Sequence, residues 1–126
     1  MIDSDKLLIL VDAADTIKAS TSETNLHYYT FFAKQEGVWF SYDFQVLRSL
    51  YSVSLHEDLK ILEEGRYLRT SSDYHLTEKG EQWLDNLPKE ATKKTRKEII
   101  DIIQNYINKD EVTLFKEAYA RLTRGL

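Results

Sequence analysis

The chain has 126 residues, enough for one core, and its 42% hydrophobic and 30% charged residues with one proline and four glycines are a helix-rich globular composition that excludes a disordered chain. It has no cysteine, which excludes disulfides, thiol nucleophiles and zinc–thiolate sites. The net charge of −4 divides into −7 over residues 1–87 and +3 over residues 88–126, so an acidic body precedes a basic tail and broad contact with phosphates requires those charges to segregate.

No run approaches the roughly 18 apolar residues of a membrane span, and the opening MIDSDKLLILVDAAD has acids where a signal peptide needs positive charge. A cytoplasmic protein with no membrane contact is expected. Residues 5–18 place Leu7, Leu8, Leu10, Val11, Ala14 and Ile17 on one broad face with Asp12, Asp15 and Lys18 opposite, which predicts a first helix. The polar run ASTSETN over residues 19–25 is a turn, and residues 26–36 predict an aromatic second helix that Gly37 ends. Val38, Phe40, Tyr42 and Phe44 then alternate with Trp39, Ser41 and Asp43, the pattern of a short strand or an extended connector. Residues 45–51 have room for one short helical turn.

A third helix follows with Ser52 or Ser54 as its cap, Ser54 and Glu57 as a capping box, Leu55, Leu59 and Leu62 as its buried stripe, and residues 63–65 as its end. Residues 66–70 and 74–76 flank the turn TSSD and predict a β-hairpin. Thr77 caps a fourth helix over residues 78–84 that turns Trp83 and Leu84 inward. Pro88 marks a boundary between residues 1–87, read as one domain, and a helical extension over residues 88–126. In the extension Thr95 with Glu98 offers a capping box ahead of an apolar stripe through Ile99, Ile103, Tyr106 and Ile107. Asn108 with Glu111 repeats the pattern ahead of Val112, Phe115, Ala118, Tyr119 and Leu122.

The order helix, helix, helix, hairpin, helix, with KILEEGRYL before the hairpin and YHLTEKGEQWL after it, resembles winged helix-turn-helix domains of bacteria and archaea. More narrowly, YDFQVLRSLYSVSLHEDLKILEEGRYL over residues 42–68 is similar to the SocA-like antitoxin, or Panacea, group and the related YwgA-like proteins. In that group an aromatic segment precedes a Gly-Pro-Tyr-Ser-like turn and a helix of the form L-x-x-D-L-x-x-L-x-x-x-G. Leu55, Asp58, Leu59 and Leu62 match the helix, Tyr51 and Ser52 match the end of the turn, and Ser49 and Leu50 stand in place of its Gly-Pro. The resemblance implies an α+β, mostly α, winged-helix fold. It also implies either DNA-binding regulation or, for the narrower group, neutralising or adapting a partner protein.

Read as a recognition helix, the third helix turns Ser52, His56, Lys60 and Glu63 outward, with Glu57 and Glu64 beside them. Ser52, His56 and Lys60 are then candidates for the DNA groove, Arg66 and Arg69 for phosphates at the wing, and Lys93, Lys94, Arg96 and Lys97 for a phosphate-contacting arm. The plain alternative for each is a solvated charged face. Ile99, Ile103, Ile107, Phe115, Tyr119 and Leu122 are candidates for a dimer contact or for packing within the chain. Trp39, Tyr42, Phe44 and Tyr51 are read as core or as a surface for a protein.

For catalysis, His27, His56 and His75 fall on three different elements, Asp12 and Asp15 read as solvated carboxylates, and no glycine-rich phosphate loop or nucleophile elbow occurs. No enzyme, metal or cofactor is expected. The expectation is a homodimeric transcriptional regulator that binds double-stranded DNA, with a protein-interaction module of antitoxin or adaptor type as the alternative.

Overall fold

The computed structural model describes residues 1–124, which form an α+β fold of mostly helix. The order is α1 (Asp3–Thr16), α2 (Glu23–Gln35), β1 (Gln45–Val46), β2 (Leu50–Tyr51), α3 (Val53–Glu64), β3 (Leu68–Thr70), β4 (Tyr74–Leu76), α4 (Glu78–Asp85), α5 (Lys89–Gln104) and α6 (Glu111–Thr123). Among the described residues no helix is long and apolar enough to cross a membrane.

Leu7, Leu8, Ile9, Leu10 and Val11 are five successive residues with no exposure, so α1 is apolar around its whole circumference and takes a central place, against α2, α4, α5 and β4. Its acids do not face solvent alone, as the pattern suggested. Asp12 pairs with Arg96 of α5, Asp15 Oδ2 lies 3.1 Å from His75 Nδ1 of β4, and Asp5 Oδ1 accepts from Trp83 Nε1 of α4 at 2.7 Å. The second helix is likewise buried without a break over residues 26–33. It begins before the apolar run because Ser22 Oγ accepts from the Asn25 N–H at 3.2 Å.

The segment between α2 and β1 alternates as expected, with Val38, Phe40 and Tyr42 buried, but it pairs with no strand. Side chains fasten this extended connector instead. Ser41 N–H donates to Asp3 Oδ1 at 3.1 Å, Lys34 Nζ donates to the Tyr42 carbonyl at 2.6 Å, and Lys6 reaches the Trp39 carbonyl. Residues 45–51 form no helical turn. They make a small antiparallel hairpin that pairs Gln45 with Tyr51 and Val46 with Leu50, burying Leu50 and leaving Leu47 outside.

Ser52 caps α3, its Oγ accepting from the Leu55 N–H at 3.2 Å, so Ser54 and Glu57 form no capping box and both stay exposed. Leu55, Leu59 and Leu62 are buried as the periodicity requires, each contributing about 1.5–3 kcal/mol. The helix ends in a Schellman motif, with Arg66 N–H on the Glu63 carbonyl and Tyr67 N–H on the Leu62 carbonyl, and the left-handed residue is Arg66 (φ 66°), one position beyond Gly65. Lys18 (φ 61°) ends α1 in the same way.

The hairpin pairs Leu68 with Leu76, Arg69 with His75 and Thr70 with Tyr74. Thr21 ties it to the α1–α2 turn, since its carbonyl accepts from the Tyr74 N–H at 2.9 Å. Thr77 caps α4 through the Gly80 N–H at 3.1 Å. Pro88 serves as the N-cap of α5, and the helix runs unbroken through Thr95, so no cap forms there: the backbone N–H groups of that stretch already bond back along the helix. Asp110, rather than Asn108, caps α6, its carboxylate accepting from the Thr113 N–H at 2.8 Å, which lowers its proton affinity.

One core crosses Pro88. Ile99, Ile102 and Ile103 of α5 and Leu114 and Ala118 of α6 belong to the same buried cluster as α1 and α2. Tyr106 stacks on Phe32 of α2 with ring centroids 4.0 Å apart, donates to Glu36 Oε2 at 2.6 Å, and accepts from the Arg121 guanidinium at 2.7 Å. Burial and the Glu36 carboxylate push its hydroxyl up to about 12.

Candidate functional site

Glu23, in the first turn of α2, has polar neighbours on three elements. Its Oε2 lies 2.8 Å from His56 Nδ1 of α3 and 3.5 Å from His27 Nε2, one turn along its own helix, while Oε1 accepts from the Tyr74 hydroxyl of β4 at 3.4 Å. One carboxylate therefore joins α2, α3 and β4. Burial lowers the proton affinity of His27 against the opposing pull of Glu23, with His56 adding a smaller push in the same direction as burial.

Two imidazoles and a carboxylate make a familiar donor set for transition metals. The tautomer decides against that use. The Ser52 N–H donates to His27 Nδ1 at 3.1 Å, so Nδ1 holds the lone pair and the neutral ring carries its hydrogen on Nε2, which faces Glu23 as a donor and not as a ligand. Among the described residues no group of three such side chains is arranged to hold a metal ion.

With Leu55, Leu59 and Leu62 inward and about 100° between successive residues, the outward direction of α3 belongs to Val53, Glu57, Lys60, Ile61 and Glu64, with Ser54 at the margin. Val53 is 51% and Ile61 62% exposed. This corrects the expected stripe. Ser52 and His56 lie on the flank toward Glu23, where Ser52 is fully buried as the cap and His56 is engaged by the carboxylate; Glu63 is half-buried there. On the other flank Asp58, the acid of the L-x-x-D-L pattern, accepts from the Tyr42 hydroxyl at 2.7 Å, and burial together with that bond raises the proton affinity of the hydroxyl. An open depression of about 400 Å³ beside the first turn of α3 is lined by Asp43, Phe44, Gln45, Val53, Ser54 and Glu57.

The outward face thus combines two carboxylates, one ammonium and two exposed aliphatic side chains. Among the described residues Lys60, Arg66 and Arg69 are exposed and make no ion pair. Lys93, Lys94 and Lys97 are exposed on α5, which packs on α1 and α2, whereas α3 packs on β3. Arg96, placed with those lysines by the sequence reading, is half-buried against Asp12.

Of the six candidates for a dimer contact, Ile99 and Ile103 have no exposure because they pack in the chain's own core. Ile107, Phe115 and Leu122 are partly buried against it, and Tyr119 is 51% exposed. On α6 Ala118 is buried and Phe115 and Leu122 pack against the core as the expected stripe has it, whereas Leu114, outside that stripe, is buried too and Val112 is 62% exposed. In the aromatic insert Tyr42 is core, Phe44 packs edge-on against Phe31, Tyr51 stacks on His27, and Trp39 is 64% exposed beneath Lys34 Nζ.

No family model, no curated protein and no solved structure matches the chain.

Proposed function

We propose that the chain is a winged-helix protein-interaction module, with the β3–β4 hairpin as its wing and a protein partner seated on the outer face of α3. The observation that carries this reading is the composition of that face. Val53 and Ile61 stand in solvent beside Glu57 and Glu64, with Lys60 as the cation among them. In a DNA groove those carboxylates face phosphates and repel them, whereas exposed aliphatic side chains are what a protein interface removes from water. The likeness of residues 42–68 to the SocA-like antitoxin group supports the same reading, since it implies neutralising or adapting a partner.

A second reading, DNA-binding regulation, is favoured by Lys60, Arg66 and Arg69, which are exposed without ion pairs where α3 meets the wing. Under it these three contact the phosphates of double-stranded DNA.

A photo-crosslinking residue at position 61, with a control at exposed position 98 on α5, separates the two in cells. The interaction reading expects a discrete protein adduct from position 61 that Val53→Asp abolishes. Absence of any protein adduct from position 61, together with crosslinks to DNA from that position, overturns it.

A further inference from the structure

We propose that His27 is a proton-operated latch on the seat of α3: protonation at Nδ1 breaks its bond to the Ser52 N–H and frees the start of that helix. The ring is 1% exposed and lies between α2, β2 and α3. Its Nδ1 is the acceptor for the Ser52 N–H, and Ser52 is the residue on which α3 begins. The same serine gives its Oγ to the Leu55 N–H at 3.2 Å and its carbonyl to the His56 N–H at 3.0 Å. A proton on Nδ1 sets two donors against each other at 3.1 Å, and Ser52 can escape only by moving the first turn of α3 with it.

The surroundings place this event within reach of mild acid. Glu23, on the same helix, holds its carboxylate 3.5 Å from Nε2 and favours the charged ring, while burial and His56 of α3 oppose it. Tyr51 of β2 stacks on the ring at 5.0 Å, and Tyr74 of β4 shares the Glu23 carboxylate, with Glu63 of α3 beside that hydroxyl. Burial being the largest of these influences, the latch opens below 6.5, the ordinary value for histidine. Where α3 carries the partner face, as proposed above, acidification loosens that face; the latch itself is observable without any partner.

The test is imidazole nitrogen NMR on the full-length protein between pH 8 and pH 4.5, with amide exchange measured over the same range. His27 is expected as the Nε2–H tautomer at pH 8, titrating below 6.5, with the exchange protection of the Ser52 amide falling by up to about tenfold per pH unit between 6.5 and that midpoint and levelling beneath it. His27→Asn keeps an acceptor near the Nδ1 position and has no proton to gain, so the Ser52 amide in this variant is expected to hold its protection across the range. An Nδ1–H tautomer at pH 8 overturns the latch, as does titration of His27 that leaves Ser52 unmoved. Where His27→Asn folds, an undiminished pH dependence at Ser52 in that variant does the same; where it does not fold, the wild-type titration decides.

Discussion

Replacing Glu23 with alanine removes the acceptor that α2, α3 and β4 share, and the size of the loss can be built from its contacts. The buried His27 Nε2 makes no hydrogen bond, its nearest acceptor being Glu23 Oε2 at 3.5 Å, so losing that carboxylate costs about 0.5–1 kcal/mol. The pair with His56 is more than a third exposed on the His56 side and contributes at most about 0.5–1 kcal/mol after solvent screening. A carboxylate in the first turn of α2 adds about 0.3–1 kcal/mol through the helix dipole, part of which the same contacts already represent. The sum is a destabilisation of about 1–2 kcal/mol, measured as a lower urea midpoint at unchanged slope and a Tm lower by about 4–8 °C. Glu23→Gln keeps an acceptor oxygen and is expected to lose about half as much. A Glu23→Ala variant within about 0.5 kcal/mol of the wild type refutes the assignment of Glu23 as the joint between these elements.

Gly80→Ala is expected to destabilise by about 2 kcal/mol by urea unfolding, because the added Cβ stands inside contact distance of the Tyr67 carbonyl oxygen and 3.3 Å from Leu76 Cγ, outweighing the better helix propensity of alanine; wild-type or higher stability contradicts that close approach. Arg66→Gly is expected to raise stability by about 0.5–1 kcal/mol in the same assay, since it relieves a left-handed backbone at φ 66°, and an unchanged or lower midpoint counts against it. His27 binds its proton less readily in the folded chain, so the unfolded chain takes up protons first: its contribution to stability is complete above about pH 6.5 and is lost as pH falls below it, approaching about 1.4 kcal/mol per pH unit. That loss is read as the difference between wild type and His27→Asn, and two parallel stability profiles argue against it.

Sequence pattern was sufficient wherever the determinant is local. Leu55, Leu59 and Leu62 announce the inward stripe of α3 by spacing alone, Thr77 announces the cap of α4, and the TSSD turn separates two strands that pair as expected. Pattern fell short where tertiary contacts choose among local options. Ser52 and Ser54 are equally good caps in isolation, and the bond from the Ser52 N–H to His27, 25 residues earlier, accompanies the choice of the first. The outward face of α3 did not depend on that choice: with Leu55, Leu59 and Leu62 inward, about 100° per residue already places Val53, Glu57, Lys60 and Glu64 outside and Ser52 and His56 on a flank. Residues 63–65 were read as the end of α3, and the left-handed backbone that closes the helix falls one position beyond them, on Arg66. The Glu23 joint left no trace in the sequence, because His56 and Tyr74 lie 33 and 51 residues away from it and no spacing rule spans such distances. The acids of α1 were read as solvated for the same reason: Arg96, partner of Asp12, is 84 residues along the chain.

The measurement that tests the interaction reading most directly is binding of the purified protein to random duplex DNA and to the duplex of its own upstream region, titrated across salt. The outer face of α3 predicts no association with either duplex even at low salt, and no change on replacing Lys60, Arg66 and Arg69 with alanine. Binding that weakens steeply with salt and is lost in that triple variant contradicts the reading and assigns α3 and the wing to DNA.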